Sequence, residues 1–262
     1  MDADNSQAMR ARRAPEQRNA IRLVGFDGDD TLWRSQDYFD AAQLEFERIV
    51  GAYVDLVDSH EHLYAVENRN LALFGYGVKG MVLSMIEAAV EITEARIQAC
   101  DLQRIVALGK ELLRHPVELL PGIRDAVAGI AEDFDIVLIT KGDLFHQEAK
   151  VRQSGLAGLF RRIEIVSEKD AVTYGRVLAE FQLAPAQFAM IGNSLRSDIA
   201  PVLQLGGWGV HMPYHTTWAH EADATIAPGH AERWCSVADA RGLAEAVRTL
   251  AARAGEGVDL AG

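Results

Sequence analysis

Five short apolar runs most constrain what this chain can fold into: Ile21–Phe26, Ile136–Ile139, Ile163–Val166, Phe188–Ile191 and Trp208–His211. Each is too short for a core helix and ends in polar or turn-forming residues, as a strand buried on both faces of a parallel sheet does. Helical patterns separate them, for example Ile123, Ala126, Val127 and Ile130 at i, i+3, i+4 and i+7. Strand alternating with helix predicts an α/β fold, a Rossmann-like three-layer parallel-sheet core.

Residues 34–118 break that rhythm. Phe46, Ile49, Val50, Tyr53, Val54 and Val57 form one amphipathic stripe, Val82, Met85, Ile86 and Ala89 a second, and Leu102, Ile105, Val106, Leu112 and Leu113 a third. No buried-strand signal interrupts them, and Pro121-Gly122 marks the return to the alternating pattern. An α-helical unit over 34–118 is therefore inserted into a core made of 20–33 and 119–262. Residues 1–19 carry four arginines and no apolar stretch, so they are expected to be a disordered tail rather than a secretory signal.

The 262 residues contain 26 basic and 38 acidic side chains, a net charge of −12, which argues against a general nucleic-acid binder. No apolar run approaches the roughly 18 residues of a membrane span. Cys100 and Cys235 form no disulfide framework, and the expected location is the cytoplasm.

Phe26-Asp27-Gly28-Asp29-Asp30-Thr31-Leu32 crowds three carboxylates at the end of the first strand, where open α/β sheets bind ligands. Such carboxylates repel one another unless a cation lies among them; a plain acidic turn and helix cap is the other reading of this segment alone. Three more segments end at the same side of the sheet: Thr140 after the second strand, Lys169 after the third, and Gly192 to Asp198 after the fourth. A hydroxyl and an ammonium suit phosphate oxygens, and separated carboxylates suit a hard divalent ion.

With these four segments in order, the sequence resembles the haloacid dehalogenase-like hydrolase superfamily over residues 21 to about 215, and the insertion resembles that family's helical C1 cap. The resemblance implies a phosphatase. Asp27 is then the nucleophile that forms an aspartyl-phosphate, and Asp29 the general acid and base. Mg2+ is held by Asp27, the Asp29 carbonyl, Asp198 and Asn193, and the phosphoryl group by Thr140 and Lys169. Dehalogenases of the family lack the second aspartate, so Asp29 points to phosphoryl chemistry. Position 193 is Asn where many relatives have Asp, which removes one negative charge from the metal set.

Lys141, next to Thr140, either contacts phosphate as well or is solvated. Gly75-Tyr76-Gly77-Val78-Lys79-Gly80 matches a dinucleotide-binding pattern but lies between helical stripes rather than after a strand. It is either a cap loop with Tyr76 and Lys79 facing substrate or a plain helix connection. His215 and His220, five apart, do not share a helix face and are read as part of a loop on the sheet edge after the last strand. The expected substrate is a small phosphorylated metabolite. The alternatives are a phosphomutase or phosphonate-cleaving enzyme, for which Lys79 is the candidate Schiff-base lysine, and a non-catalytic binding protein.

Overall fold

The structure, a computed structural model, describes residues 21–55, 59–216, 218–221 and 225–256. The expected N-terminal tail and Val57 lie outside them. Six parallel strands form one sheet in the order β3-β2-β1-β4-β5-β6: β1 (Leu23–Phe26), β2 (Asp135–Lys141), β3 (Arg162–Val166), β4 (Phe188–Gly192), β5 (Trp208–His211) and β6 (Trp234–Ser236). The strand order reverses at β1, which pairs with both β2 and β4. Rossmann-like sheets open a ligand crevice at that reversal, beyond the strand carboxyl ends.

Side chains alternate across the sheet as its period of two requires. Val24, Phe26, Leu138 and Ile191 pack on one face with Ile123, Val127 and Ile130 of α5 (Ile123–Asp133) and with Leu243, Val247 and Leu250 of α9 (Leu243–Glu256). Leu23, Val137, Ile139 and Met190 pack on the other with Tyr174, Val177 and Leu178 of α7 (Ala171–Glu180) and Val202 of α8 (Ala200–Gln204). Helices on both faces make the three layers. α6 (Leu144–Ser154) follows β2.

Between β1 and β2 stand α1 (Gln36–Val50), α2 (Ser59–Phe74), α3 (Val78–Ile92) and α4 (Ala99–Arg114). They have their own core, with Phe46, Ile49, Leu63, Val66, Met85 and Ile105 fully or almost fully buried. Its two chain crossings lie side by side: Trp33 bridges to Leu119, the Arg34 N–H donates to the Glu118 carbonyl (2.9 Å) and the Leu120 N–H to that of Leu32 (2.9 Å). Two hydrogen-bonded strands of linker constrain where the cap sits over the sheet.

Three expectations need correction. α1 stops at Val50, where the Gly51 N–H closes its last turn, so Tyr53 and Val54 lie beyond it. α2 carries only a thin apolar seam, chiefly Leu63 and Val66, which no stripe announces. β5 is not the last strand: β6 pairs along it and takes the sheet edge, so the intervening segment crosses the carboxyl end of the sheet instead. Among the described residues no helix is long and apolar enough to cross a membrane.

Candidate active site

The loop after β1 is anchored at the centre of the sheet, where β1 is paired on both sides. The Asp27 N–H donates to the Ile191 carbonyl of β4 (2.9 Å), and the residue is 6% exposed. One Asp27 carboxylate oxygen accepts from the Thr31 hydroxyl (2.9 Å), the other from the Lys169 ammonium. Lys169 also donates to Asp198 Oδ1 (2.8 Å), whose second oxygen accepts from the Ser194 N–H (3.0 Å). Burial, opposed by the Lys169 charge and reinforced by that of Asp198, pushes the Asp27 carboxyl up to about 7. Burial works against the Lys169 charge, yet Asp198 and Asp27 together hold its pKa well above that of a free lysine. Two buried carboxylates thus share one ammonium.

Each partner is placed by the element before it. Lys169 follows β3, next to Asp170, which caps α7 by accepting from the Thr173 N–H (2.7 Å). Asp198 sits in a π-helical turn, Leu195–Ile199, directly after β4. A Cβ on Gly192 would lie 2.1 Å from Asp198 Oδ2, so only glycine lets that carboxylate reach the site. Gly192→Ala is expected to displace Asp198, lower stability by about 1–3 kcal/mol as overpacking does, and weaken any metal dependence of activity. A melting curve with the same Tm as wild type would contradict this.

Thr140, at the end of β2, is 1% exposed and its hydroxyl has no hydrogen-bond partner among the described residues. Buried hydroxyls are rarely left so, since each costs about 1–3 kcal/mol. It faces Gly28 closely: a Cβ there would lie 3.0 Å from the Thr140 oxygen.

Asp29 is gripped by three donors: Trp33 Nε1 (2.6 Å), Lys150 Nζ (2.7 Å) and Gln147 Nε2 (2.8 Å). Burial alone would raise its pKa, but the Lys150 charge and these hydrogen bonds outweigh it and lower the value. Lys150→Met is therefore expected to raise the Asp29 pKa, read from the carboxyl carbon shift against pH; an unchanged midpoint would contradict the grip. Asp30 serves the backbone instead. At φ +61° it turns back to accept from the Ser35 (2.9 Å) and Gln36 (3.0 Å) N–H groups, tying the loop to the start of α1.

Trp33, Gln147 and Lys150 belong to none of the sequence motifs. One signal exists: Gln147 and Lys150 occupy the buried face of α6 with Val151 and Ser154, and polar side chains there need a partner.

The other sequence candidates divide. Asn193 lines the cavity, its Oδ1 accepting from Thr31 Oγ1 (3.4 Å). Lys141 lines it too, but its ammonium is taken by Glu221 (2.6 Å) and Ser197 (2.9 Å) and lies over the Tyr76 ring (4.3 Å). Tyr76 lines the cavity and donates to Glu168 (2.7 Å). Gly77, at φ +107°, lets this loop approach the Asp143 backbone. Lys79 does not line the cavity: it pairs with Asp143 (2.8 Å), is half-exposed, and ties cap to core. The segment expected on the sheet edge instead brings Thr216, Trp218 and Glu221 to the cavity. His215 pairs with Asp37 (2.7 Å), whereas His220 stacks near Tyr76 and Trp218, so they share no site. Cys100 is exposed and Cys235 half-buried, both free.

A cavity of about 180 Å³ thus lies between the strand carboxyl ends and the cap, with Asp27, Asp29, Thr140, Lys169, Asn193 and Asp198 on its core side. A buried aspartate, a lysine sharing it with a second aspartate, and a helical lid inserted after β1 define a capped α/β hydrolase. A family comparison matches haloacid dehalogenase-like hydrolase over residues 21–206, and the chain belongs to that family.

Among solved structures, the chain is 57% identical to a haloacid dehalogenase-like family hydrolase from Xanthomonas campestris, covering 91% of this chain and 95% of that one, with a TM-score of 0.81. It shares the fold of a 2-haloacid dehalogenase from Pseudomonas syringae pv. tomato (21% identity, 87% and 98% covered, TM-score 0.56). The same holds for a protein described as a predicted phosphoglycolate phosphatase from Haemophilus somnus (15% identity, 86% and 97% covered, TM-score 0.54). A search of curated proteins gave no match. Membership of a hydrolase family makes the chain an enzyme and sets aside the binding-protein alternative.

Proposed function

We propose that the protein is a magnesium-dependent phosphohydrolase that cleaves a small phosphorylated metabolite through an aspartyl-phosphate on Asp27. The observation that carries this reading is the buried Thr140 hydroxyl, without a hydrogen-bond partner among the described residues and on the same side of the cavity as Asp27 and Lys169. A phosphoryl oxygen accepts from that hydroxyl, and the ammonium offsets the phosphoryl charge.

An Asp27 oxygen attacks phosphorus, the bond to the ester oxygen breaks, and Asp29 gives that oxygen its proton. Water then attacks phosphorus, Asp29 takes a proton from it, and Asp27 leaves with release of inorganic phosphate. The Lys150 grip keeps Asp29 ionised without substrate, as the second step requires. The negative phosphoryl group arriving beside it raises its affinity for the proton used in the first. Halide leaves carbon without needing a proton, so a carboxylate prepared as acid and base favours an oxygen leaving group over a halogen.

The residues fit Mg2+. Among the described residues no three or more Asp, Glu, His or Cys side chains form a metal cage. Mg2+, however, commonly uses one or two carboxylates with substrate phosphate and water. The Asp27 and Asp198 carboxylates, the Asn193 amide oxygen and the Asp29 carbonyl would hold it, and the excess of carboxylate over ammonium favours a cation. When bound, it neutralises charge on the transferring phosphoryl group. Lys79, turned to Asp143, gives no support to a Schiff-base phosphonate mechanism.

The test is phosphate release from an aryl phosphate with magnesium and with chelator, beside halide release from a haloacid. Magnesium-dependent phosphate release is expected; halide release without phosphate release would overturn the reading.

A further inference from the structure

The cap's side of the cavity has the opposite chemistry to the core's. On the core side, Lys169, Lys150 and Lys141 are each matched to a carboxylate, and His146, its pKa lowered to about 4 by burial and Lys150, carries no charge. From the cap helices the charged residue lining the cavity is Glu67, and no described side chain donates a hydrogen bond to it or pairs with it. Burial pushes its carboxyl up to about 7, against an opposing pull from His60.

The polar groups beside Glu67 have their donors engaged. The Gln36 amide nitrogen donates to Asp40 (2.7 Å); that of Asn70, 6% exposed, donates to Glu87 (2.5 Å) and Ser84 (3.2 Å). Carboxylate partners fix both amides that way round. The Ser84 hydroxyl donates to the Gly80 carbonyl (3.0 Å) and the Tyr76 hydroxyl to Glu168 (2.7 Å). The two amide oxygens have no protein donor among the described residues. The wall therefore offers a carboxyl and acceptor oxygens, set among Phe39, Leu71 and Met81.

We propose that the cap selects a phosphate ester whose other end bears a protonated amine, an amino-alcohol or amino-sugar phosphate, with Glu67 receiving the ammonium and the Gln36 and Asn70 oxygens its remaining hydrogens. This rests on the phosphohydrolase reading above. A second anion on the substrate, such as the carboxylate of phosphoglycolate, meets no free cation among the described cavity-lining residues and lies against the Glu67 carboxyl.

The test compares kcat/KM for phosphoethanolamine, propyl phosphate and phosphoglycolate, and for glucosamine phosphate against glucose phosphate, in wild type and Glu67→Gln, with an aryl phosphate in parallel. The amine members are expected to exceed their neutral counterparts by about tenfold or more, well within what a polar site can give against a substrate lacking its matching group. Phosphoglycolate falls lower still, and Glu67→Gln brings the amine-to-neutral ratio towards one. Equal handling of neutral or acidic esters by wild type, or a ratio untouched by Glu67→Gln, overturns the inference. Loss of the aryl phosphate reaction in wild type instead marks failure of the phosphohydrolase reading. In that case thermal melts answer the amine question: stabilisation by glucosamine but not glucose, lost in Glu67→Gln, supports it, and no stabilisation contradicts it.

Discussion

Asp27→Asn is expected to abolish phosphate-ester hydrolysis, with kcat falling by on the order of 10⁴-fold or more, as when a covalent nucleophile is removed. The same change is expected to leave the fold intact and, at neutral pH and above, to stabilise it. Folded Asp27 titrates at about 7 because burial and Asp198 disfavour its charge. In an unfolded chain it titrates near 3.9, so its burial weakens the fold progressively as pH rises from about 4 to about 7, and by a constant amount above that. In chelator, the Tm of Asp27→Asn should exceed that of wild type at pH about 8 and match it below about 4. Substitution also leaves Lys169 and Asp198 as a one-to-one pair at 2.8 Å. An inactive variant with lower Tm at high pH would mean that Asp27 supports the fold instead.

Lys169→Met is expected to do the reverse to stability. It leaves the Asp27 and Asp198 carboxylates buried together without their shared cation, and breaking a buried ion pair from one side costs about 3–5 kcal/mol. Activity should fall with it, because the phosphoryl charge loses its ammonium. The two effects separate in a double variant. Asp27→Asn removes one of the two repelling carboxylates, so at neutral pH and above it should add more stability in the Lys169→Met background than in wild type, a non-additive result typical of residues in one network. An equal effect of Asp27→Asn in the two backgrounds, read from urea unfolding, would show that the three side chains do not act as one cluster.

How far the sequence predicts this arrangement differs by element. β1, β2 and β4 are central strands buried on both faces, so their apolar runs stand out. β6 is three residues at an edge, Trp234 and Cys235 half-buried and Ser236 exposed, and carries no such signal. α2 is hard to read because it lines the cavity. Glu67 and Asn70 face that space, so polar groups interrupt the apolar stripe that would announce a helix. Asp27, Thr140, Lys169 and Asp198 are legible because each follows a strand, and parallel strands bring their carboxyl ends together. The grip on Asp29 is not, because Lys150 lies on a helix face whose approach to the β1 loop depends on tertiary packing. Lys79 shows the limit of placing a residue by loop position: the Tyr76–Lys79 turn does cover the site, but of these two side chains Tyr76 lines the cavity and Lys79 is engaged by Asp143.

The most direct test of the central claim is to quench the protein in acid during turnover of a phosphate ester with magnesium and map any covalent phosphoryl group. The account predicts a hydroxylamine-labile phosphoryl group on the peptide carrying Asp27, absent from Asp27→Asn. Full turnover with no phosphoryl group on Asp27, or turnover retained in Asp27→Asn, would contradict it.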